Sequence, residues 1–392
     1  MNQAAKSLKF SRYAISAVFF VNGMILASWV ATIPLAQARL GLSEGVLGLT
    51  LLSLAVGSLI AMPLTGFLVG RFGSRRMISL LISAFVLSLF LPLNATNLPL
   101  LVLSLIIFGG LQGASDVAMN ASAVALENVY PKPIMSSCHG FWSLGSLGGA
   151  AFSGLLIYLE VPSLGRAALM ATIGAALLFF ALPRLIDARD GRGEGVEQTF
   201  ALPRGPVLIF GLLTFFALVS EGAIADWAAV YLRDYLGSST AFATLGFAAF
   251  SLTMALARFT GDALTSHFGP ARVLRFSGVI SALGLALALL VPQAYLAVLG
   301  FALMGLGVAN FAPLLFGAAA RVPGSEPGVS LAAVTTVGYF GFLVGPPLIG
   351  LSAEVVGLRA SLYLVVGFLI IITLFARKVK AATPHTAVSS SD

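Results

Sequence analysis

The chain has 392 residues, of which 58% are hydrophobic and only 9% are charged. This composition leaves too little polar material to cover a soluble globule of this size, so it predicts an integral membrane protein and excludes a soluble enzyme. The net charge of +7 is compatible with a nucleic-acid partner, but no basic cluster is interleaved with aromatic residues, and none is expected. The single cysteine, Cys138, excludes an intramolecular disulfide, and no Cys or His spacing indicates a metal site or another cofactor.

Hydropathy predicts twelve helical segments, each long enough to cross about 30 Å of hydrocarbon. They lie near residues 13–36, 45–69, 77–94, 98–126, 138–159, 165–182, 206–235, 240–264, 273–292, 295–320, 328–352 and 357–376. The first segment follows Lys6, Lys9 and Arg12, as a signal peptide would. Its length of about 23 residues exceeds the roughly 7 to 15 apolar residues of a signal peptide, so we expect an uncleaved first span.

Lysine and arginine are distributed unequally between the two sides of these spans. With both termini in the cytoplasm, Arg258 lies within the eighth span and the basic residues that face outward are Arg39, Arg166, Arg233 and Arg359. The other lysines and arginines face the cytoplasm. The positive-inside rule predicts this asymmetry, so both termini are expected to be cytoplasmic.

An internal repeat divides the spans into two sets of six. Arg71-Phe72-Gly73 after the second span matches His267-Phe268-Gly269 after the eighth, 196 positions later, and Gly145 of the fifth span matches Gly341 of the eleventh at the same shift. Because both sets start on the same side, they predict parallel halves related by an axis along the membrane normal, as in many secondary transporters. The glycines have the spacing of close helix packing, not of a phosphate loop.

A mixed-charge segment at the middle of the chain fits a linker between these halves. The expected domains are an N-terminal six-helix bundle (1–182), a cytoplasmic linker (183–205), a C-terminal six-helix bundle (206–380) and a disordered tail (381–392).

The fourth span carries a polar stripe within an apolar helix. Gln112, Asp116 and Asn120 lie on one face, whereas Glu127, in the same stripe, falls beyond the hydrocarbon and suits a loop or gate. A carboxylate within a bilayer costs about 2.5 kcal/mol or more, so it normally faces a water-filled cavity, finds a partner or takes up a proton. We therefore expect Asp116 to couple transport to protons, and Gln112 and Asn120 to bind substrate. The alternative is that Asp116 only hydrogen-bonds Asn120 or a neighbouring helix.

The seventh span supplies further acids. Glu221 is expected to be the second proton-coupling residue, and Asp226 a gate or interface residue nearer the outer end. The two lie about 140° apart on a regular helix, so both can face a cavity only if the helix is distorted at Gly222. Asn22 of the first span precedes a glycine at a similar depth, and it is expected either to bind substrate or to pack between helices.

The other candidates are polar or aromatic residues within the spans or at their ends. For substrate binding these are Trp29, Trp142 and Asn310, and for gating they are His139, Arg258 and Asp262. The two tryptophans can stack on a sugar ring or pack in the core, and His139 is either a pH sensor or an interfacial residue. Arg258 and Asp262 are four positions apart and are expected to form an ion pair.

The loop Gly66-Phe67-Leu68-Val69-Gly70-Arg71-Phe72-Gly73-Ser74-Arg75-Arg76 resembles the signature of the major facilitator superfamily between its second and third spans. This resemblance implies a twelve-helix carrier that works by alternating access, and it implies a gating role for Arg71. Two positions depart from the family pattern. Gly70 replaces the usual aspartate of the loop, and Gly109 replaces the usual arginine of the fourth span.

Three further segments are similar to a poorly characterised bacterial inner-membrane branch related to the fucose permease group. They are Ala27-Ser28-Trp29, the pair Asp116 and Asn120, and Met135–Gly145. The resemblance implies proton-coupled symport of a sugar-like or other small polar solute, with Asp116 as the acid that matches the family. It also implies a bacterial inner-membrane location and no enzymatic activity. The expected partners are a small-molecule substrate, protons and the lipid bilayer, with a monomeric carrier. The alternatives are a proton-driven exporter of amphipathic compounds or drugs, and a non-transporting membrane sensor.

Overall fold

The computed structural model describes residues 3–132, 134–186, 206–322 and 327–379. These residues form helices and no strands. The α-helices are α1 (Gln3–Val30), α2 (Ile33–Leu40), α3 (Glu44–Phe72), α4 (Ser74–Ser88), α5 (Phe90–Asn94), α6 (Leu98–Glu127), α7 (Met135–Tyr158), α8 (Ser163–Ala181), α9 (Pro206–Val230), α10 (Thr240–Phe268), α11 (Pro270–Leu290), α12 (Ala294–Val308), α13 (Phe311–Ala319), α14 (Pro327–Val356) and α15 (Leu358–Phe375).

The prediction of twelve membrane spans is confirmed, because twelve helical segments are long and apolar enough to cross a bilayer. Spans 1, 3 and 10 each consist of two helices, namely α1 with α2, α4 with α5, and α12 with α13. A π-helical turn, Tyr231–Tyr235, extends span 7 beyond α9. The expected tail (381–392) lies outside the described residues, as does the expected linker apart from residues 183–186.

Each of the three divided spans is interrupted where a proline removes a backbone hydrogen bond. Pro34, Pro92 and Pro313 lie four positions after Val30, Ser88 and Ala309, which mark the three interruptions. Proline has no N–H to donate to the carbonyl four positions earlier, so the helix ends or kinks there. The rule is not absolute, since α3 continues through Pro63 and α14 through Pro346 and Pro347.

The internal repeat is present in the backbone conformation. Gly41 and Gly237 have φ angles of 63° and 66°, and Gly73 and Gly269 have φ angles of 87° and 82°. Each pair is separated by the same 196 positions as the sequence repeat. Positive φ angles strain residues with a Cβ atom, which explains why glycine occurs at all four turns. The structure therefore contains two six-helix halves of parallel orientation, spans 1–6 and spans 7–12.

Close helix packing explains the glycines that the repeat shares. A Cβ atom on Gly145 of α7 would collide with the Phe20 carbonyl oxygen of α1. In the second half, a Cβ atom on Gly341 of α14 would lie 2.6 Å from the Phe215 carbonyl oxygen of α9. Spans 1 and 5 thus pack in the same way as spans 7 and 11, and small residues let the backbones approach.

Two faces of the bundle are named here by their charges. The basic face carries Arg71, Arg75 and Arg76 between spans 2 and 3, together with Arg272 and Arg275 after span 8. The far face carries Arg39, Arg233 and Arg359, at the other ends of the spans.

Candidate functional site

An ion pair and a hydrogen bond tie span 8 to span 7 and to span 5. The Arg258 Nη2 atom of α10 lies 3.6 Å from the Glu221 Oε1 atom of α9, and both side chains are mostly buried, with exposed fractions of 16% and 17%. The other terminal nitrogen, Nη1, donates a hydrogen bond of 2.8 Å to the Ser143 Oγ atom of α7. Because α7 belongs to the first half and α10 to the second, Arg258 links the acid of span 7 to the opposite half.

Trp142 lies beside this arginine and connects it to span 1. The Arg258 Cζ atom is 5.9 Å from the centroid of the Trp142 ring, a distance at which a cation interacts with an aromatic face. The Trp142 Nε1 atom donates a hydrogen bond of 2.9 Å to the Asn22 Oδ1 atom. Asn22 is fully buried, and its Nδ2 atom has no hydrogen-bond partner among the described residues. Asn22 therefore positions Trp142 in this conformation and does not line an open cavity.

The two tryptophans predicted to bind substrate occupy different environments. Trp29 is only 1% exposed and packs in the hydrophobic core, so a solute cannot stack on it in this conformation. Trp142 is only partly buried. Sequence alone did not distinguish them, because the side of span 1 that carries Trp29 is covered by other helices.

Asp116 lies in the second half of α6 and is partly exposed, as are Gln112 and Asn120 of the predicted stripe. The Asn120 Nδ2 atom donates a hydrogen bond of 2.9 Å to the Asp116 backbone oxygen, and the Gln112 Oε1 atom lies 3.5 Å from the Ser58 hydroxyl. Within the described part of the chain, Asp116 has no ion pair. The Tyr339 phenol of α14 lies within electrostatic range of both Asp116 and Glu221. The fold thus brings the two predicted proton-coupling acids to one region from opposite halves.

Asp226 does not share this region with Glu221. Helix α9 runs without interruption through Gly222, so the condition for both acids to face one cavity is not met, and the irregular turn lies instead at Tyr231–Tyr235. On a regular helix Glu221 and Asp226 point in different directions. Glu221 meets Arg258, whereas Asp226 has no hydrogen bond or ion pair to any described residue.

The predicted gating residues do not form one cluster, although the Arg258 Nη1 atom donates a hydrogen bond of 3.5 Å to the His139 backbone oxygen. Arg71 is exposed at the end of α3, with its guanidinium 5.4 Å from the Phe72 ring centroid. The His139 ring meets Phe19 edge to face at 5.3 Å. The side chain of Asp262 lies outside the described residues, so the expected pair with Arg258 is not described, and the ion-pair partner found for Arg258 is Glu221.

A cavity of about 420 Å³ lies at the basic face, between spans 5, 8, 9 and 10. Arg258 and Asn310 line it, together with hydroxyl-bearing residues of spans 5 and 8. Asn310 is 7% exposed and occupies the interruption between α12 and α13. Among the described residues, no group of three His, Cys, Asp or Glu side chains is placed to hold a metal ion.

At the far face, two polar links hold the halves together. Arg233 of the π-helical turn donates to the Pro34 carbonyl oxygen and, over 3.2 Å, to the Gln37 Oε1 atom. The Glu354 Oε1 atom of α14 accepts a hydrogen bond of 3.0 Å from the Gly45 backbone nitrogen. Gly45 lies in the first turn of α3, where backbone N–H groups lack partners within the helix. Sequence analysis did not identify these links, because each one joins residues far apart in the chain.

Comparison with known proteins agrees with this architecture. The family model described as Major Facilitator Superfamily matches residues 15–231 and 210–392. An uncharacterized MFS-type transporter of Yersinia pestis is 36% identical over 364 residues, which cover 92% of this chain and 94% of the relative. Membrane protein MosC of Rhizobium meliloti is 36% identical over 360 residues, covering 91% of this chain and 87% of the relative.

Among solved structures, a mutant of the nucleoside transporter NupG superimposes with a TM-score of 0.74 at 15% sequence identity, over 94% of this chain and 99% of that chain. At this level of identity the likeness concerns the fold alone. The twelve spans, the two repeated halves and the matches over most of the chain lead to one conclusion: this protein belongs to the Major Facilitator Superfamily of membrane transporters, which bind small-molecule substrates within the lipid bilayer.

Proposed function

We propose that this protein is a secondary carrier that couples the uptake of a small, polar, sugar-like solute to protons by alternating access. The observation that carries the proposal is that two acids from opposite halves lie within electrostatic range of Tyr339, one of them paired with Arg258 and the other without a cation among the described residues. A carrier needs an acid whose proton occupancy depends on which side of the membrane is open. Asp116 meets this requirement.

The two acids have different roles in this proposal. Glu221 has a resident counter-charge in Arg258, which also holds Ser143 of the opposite half. We therefore assign to the Glu221 carboxylate the coupling between the movement of the two halves and the charge state of the site. Asp116 has no such counter-charge among the described residues, so a proton is the simplest way to neutralise it when the cavity closes. This refines the sequence-based expectation, in which both acids had the same role.

The contacts between the halves support an inward-open state. Arg233 and Glu354 link the halves at the far face, while the cavity lies at the basic face. We assign the basic face to the cytoplasm of a bacterial inner membrane, because lysine and arginine accumulate there. Each chain contains both halves, so the carrier works as a monomer.

The solute is proposed to bind against Gln112, Asn120 and Trp142, which are partly exposed and lie on spans 4 and 5. Amide groups that donate and accept hydrogen bonds, together with an aromatic ring, suit a polyhydroxyl compound. Nucleosides belong in the same class of candidates because they carry a ribose ring, and NupG is a nucleoside transporter.

A ligand screen followed by a transport assay tests the proposal. Purified protein is screened by thermal shift against sugars, sugar alcohols, nucleosides, organic acids and amphipathic drugs. Any hit is then supplied to proteoliposomes with an imposed inward proton gradient. We expect the solute to accumulate above its external concentration and a protonophore to abolish the accumulation. Uptake that is insensitive to the protonophore would contradict proton coupling, and specific binding without any flux would favour a sensor.

A further inference from the structure

The cavity at the basic face has a positive inner end and a positive mouth. Arg258 lines its inner end, and Arg321, which follows α13, lines it near the surface of the bundle. Arg321 is exposed, and its side chain makes no hydrogen bond or ion pair with the described residues. Its guanidinium folds back along α13, with Nη1 3.5 Å from the position that a Cβ atom on Gly317 would take. Among the described side chains that line the cavity there is no carboxylate.

The start of span 9 adds further positive potential. Helix α11 begins at Pro270, and its capping residue Gly269 has no side chain to accept a hydrogen bond from the first turn. Both residues line the cavity. The N-terminus of a helix carries about half a positive elementary charge, and its unpaired N–H groups form a ready site for an anion.

A polar side chain lines the same place. Asn310 is 7% exposed, and its side-chain amide makes no hydrogen bond to a described residue. An amide that lines a cavity can donate hydrogen bonds to a ligand there. The hydroxyl groups of Ser136 and Thr265 line the same space. Two guanidinium groups, an uncapped helix start, an amide and hydroxyls together form a set of hydrogen-bond donors suited to an oxyanion.

We propose that this cavity is an anion-binding site, which takes the phosphate or carboxylate group of a small cytoplasmic solute. Its volume of about 420 Å³ is enough for a compact organic anion. An anion bound there contacts Arg258, which also pairs with Glu221. Anion binding is therefore expected to alter the charged link between the halves. The site does not depend on proton coupling, since it is built from residues other than Asp116. A lipid phosphate has the same chemistry, and the experiment separates the two sources.

Thermal stability in neutral detergent, measured with inorganic phosphate and with chloride at equal ionic strength, tests the site. We expect a saturable rise of Tm with phosphate alone. Arg321→Gln and Asn310→Ala are each expected to weaken the apparent affinity for phosphate by about tenfold, which corresponds to about 1.4 kcal/mol. Arg377→Gln removes one exposed arginine from the end of span 12, and it should leave the affinity unchanged.

Two further arms identify what occupies the cavity. In nanodiscs, a rise of Tm with phosphatidylglycerol over phosphatidylcholine that requires Arg321 would support the site and assign the oxyanion to a lipid. Phosphate binding only in Asp262→Asn would show that the chain's own carboxylate fills the cavity, and would overturn the proposal. No response to phosphate or anionic lipid, or an equal response in the wild type, Arg321→Gln and Asn310→Ala, would overturn it as well. Transport is not measured in any arm, so failure here leaves proton coupling untouched.

Discussion

Arg258 and Glu221 form an ion pair of 3.6 Å between spans 8 and 7, and the same arginine donates a hydrogen bond to span 5 of the other half. A mostly buried charge that loses its partner is costly, whereas removal of both charges is often tolerated.

The ion pair predicts a characteristic pattern of stability. Glu221→Gln and Arg258→Gln should each destabilise the protein by about 3 kcal/mol, because each leaves one mostly buried charge without its partner. The double variant should be less destabilised than either single variant. Thermal unfolding of the four proteins in the same detergent measures this coupling. If the stability losses of the two single variants simply add in the double variant, Glu221 and Arg258 do not stabilise each other.

The links at the far face predict a shift in the conformational equilibrium. Glu354→Ala removes the acceptor for the Gly45 N–H group, so it should raise the population that is open at the far face. Spin labels at Ala38→Cys and Tyr295→Cys, which are exposed on opposite halves at that face, report the separation in a background that lacks Cys138.

The matched control for this measurement is Glu160→Ala. Glu160 is exposed at the far face, at the end of span 5, and it makes no link between the halves among the described residues. We expect a larger population of long distances in Glu354→Ala alone. Identical distance distributions in both variants would argue against Glu354 as a closing contact.

Helix packing predicts opposite effects at two glycines. Gly145→Ala should lower Tm, because its Cβ atom meets the Phe20 carbonyl of span 1 and the backbones must separate. Gly66→Ala should leave the free energy of unfolding unchanged or raise it by up to about 1 kcal/mol, so Tm should not fall. A Cβ atom there meets nothing within 4 Å, and alanine favours helices. Equal effects at the two positions would contradict the close packing of spans 1 and 5.

The environments of the tryptophans predict different kinetic effects. Trp142→Phe removes the hydrogen bond to Asn22 and alters a partly exposed ring beside Arg258, so we expect KM for the transported solute to rise by about tenfold. Trp29→Phe should lower stability with little change in KM, because Trp29 is buried in the core. A change of KM in Trp29→Phe and none in Trp142→Phe would contradict the placement of the solute-binding region beside Trp142.

Much of the fold was predictable because hydropathy and glycine positions are local signals. Twelve spans follow from the length of the apolar segments, and the repeat follows from turns such as Gly73 and Gly269, whose positive φ angles require glycine. Asp116 was also identified locally, because a carboxylate in an apolar helix is conspicuous. The helix interruption at Pro34 was not predicted, although proline is its cause.

Contacts between helices were less predictable. Spacing along one helix suggested Asp262 as a partner of Arg258, and that pair stays a prediction because the Asp262 side chain lies outside the described residues. The packing of spans 7 and 8 brings Glu221 to Arg258, which no spacing indicated. The Glu354 and Gly45 link joins spans 11 and 2, and no pattern within either span indicates it. The burial of Asn22 and Trp29 likewise depends on which neighbours cover span 1.

The most direct test of proton coupling is Asp116→Asn in proteoliposomes with a solute identified by the screen. Asparagine keeps the size of the side chain but cannot exchange a proton. The account predicts that Asp116→Asn loses accumulation driven by a proton gradient while it retains exchange of labelled for unlabelled solute, and that Glu160→Gln retains both. Unchanged accumulation in Asp116→Asn would contradict the assignment of Asp116 as the proton-coupling residue.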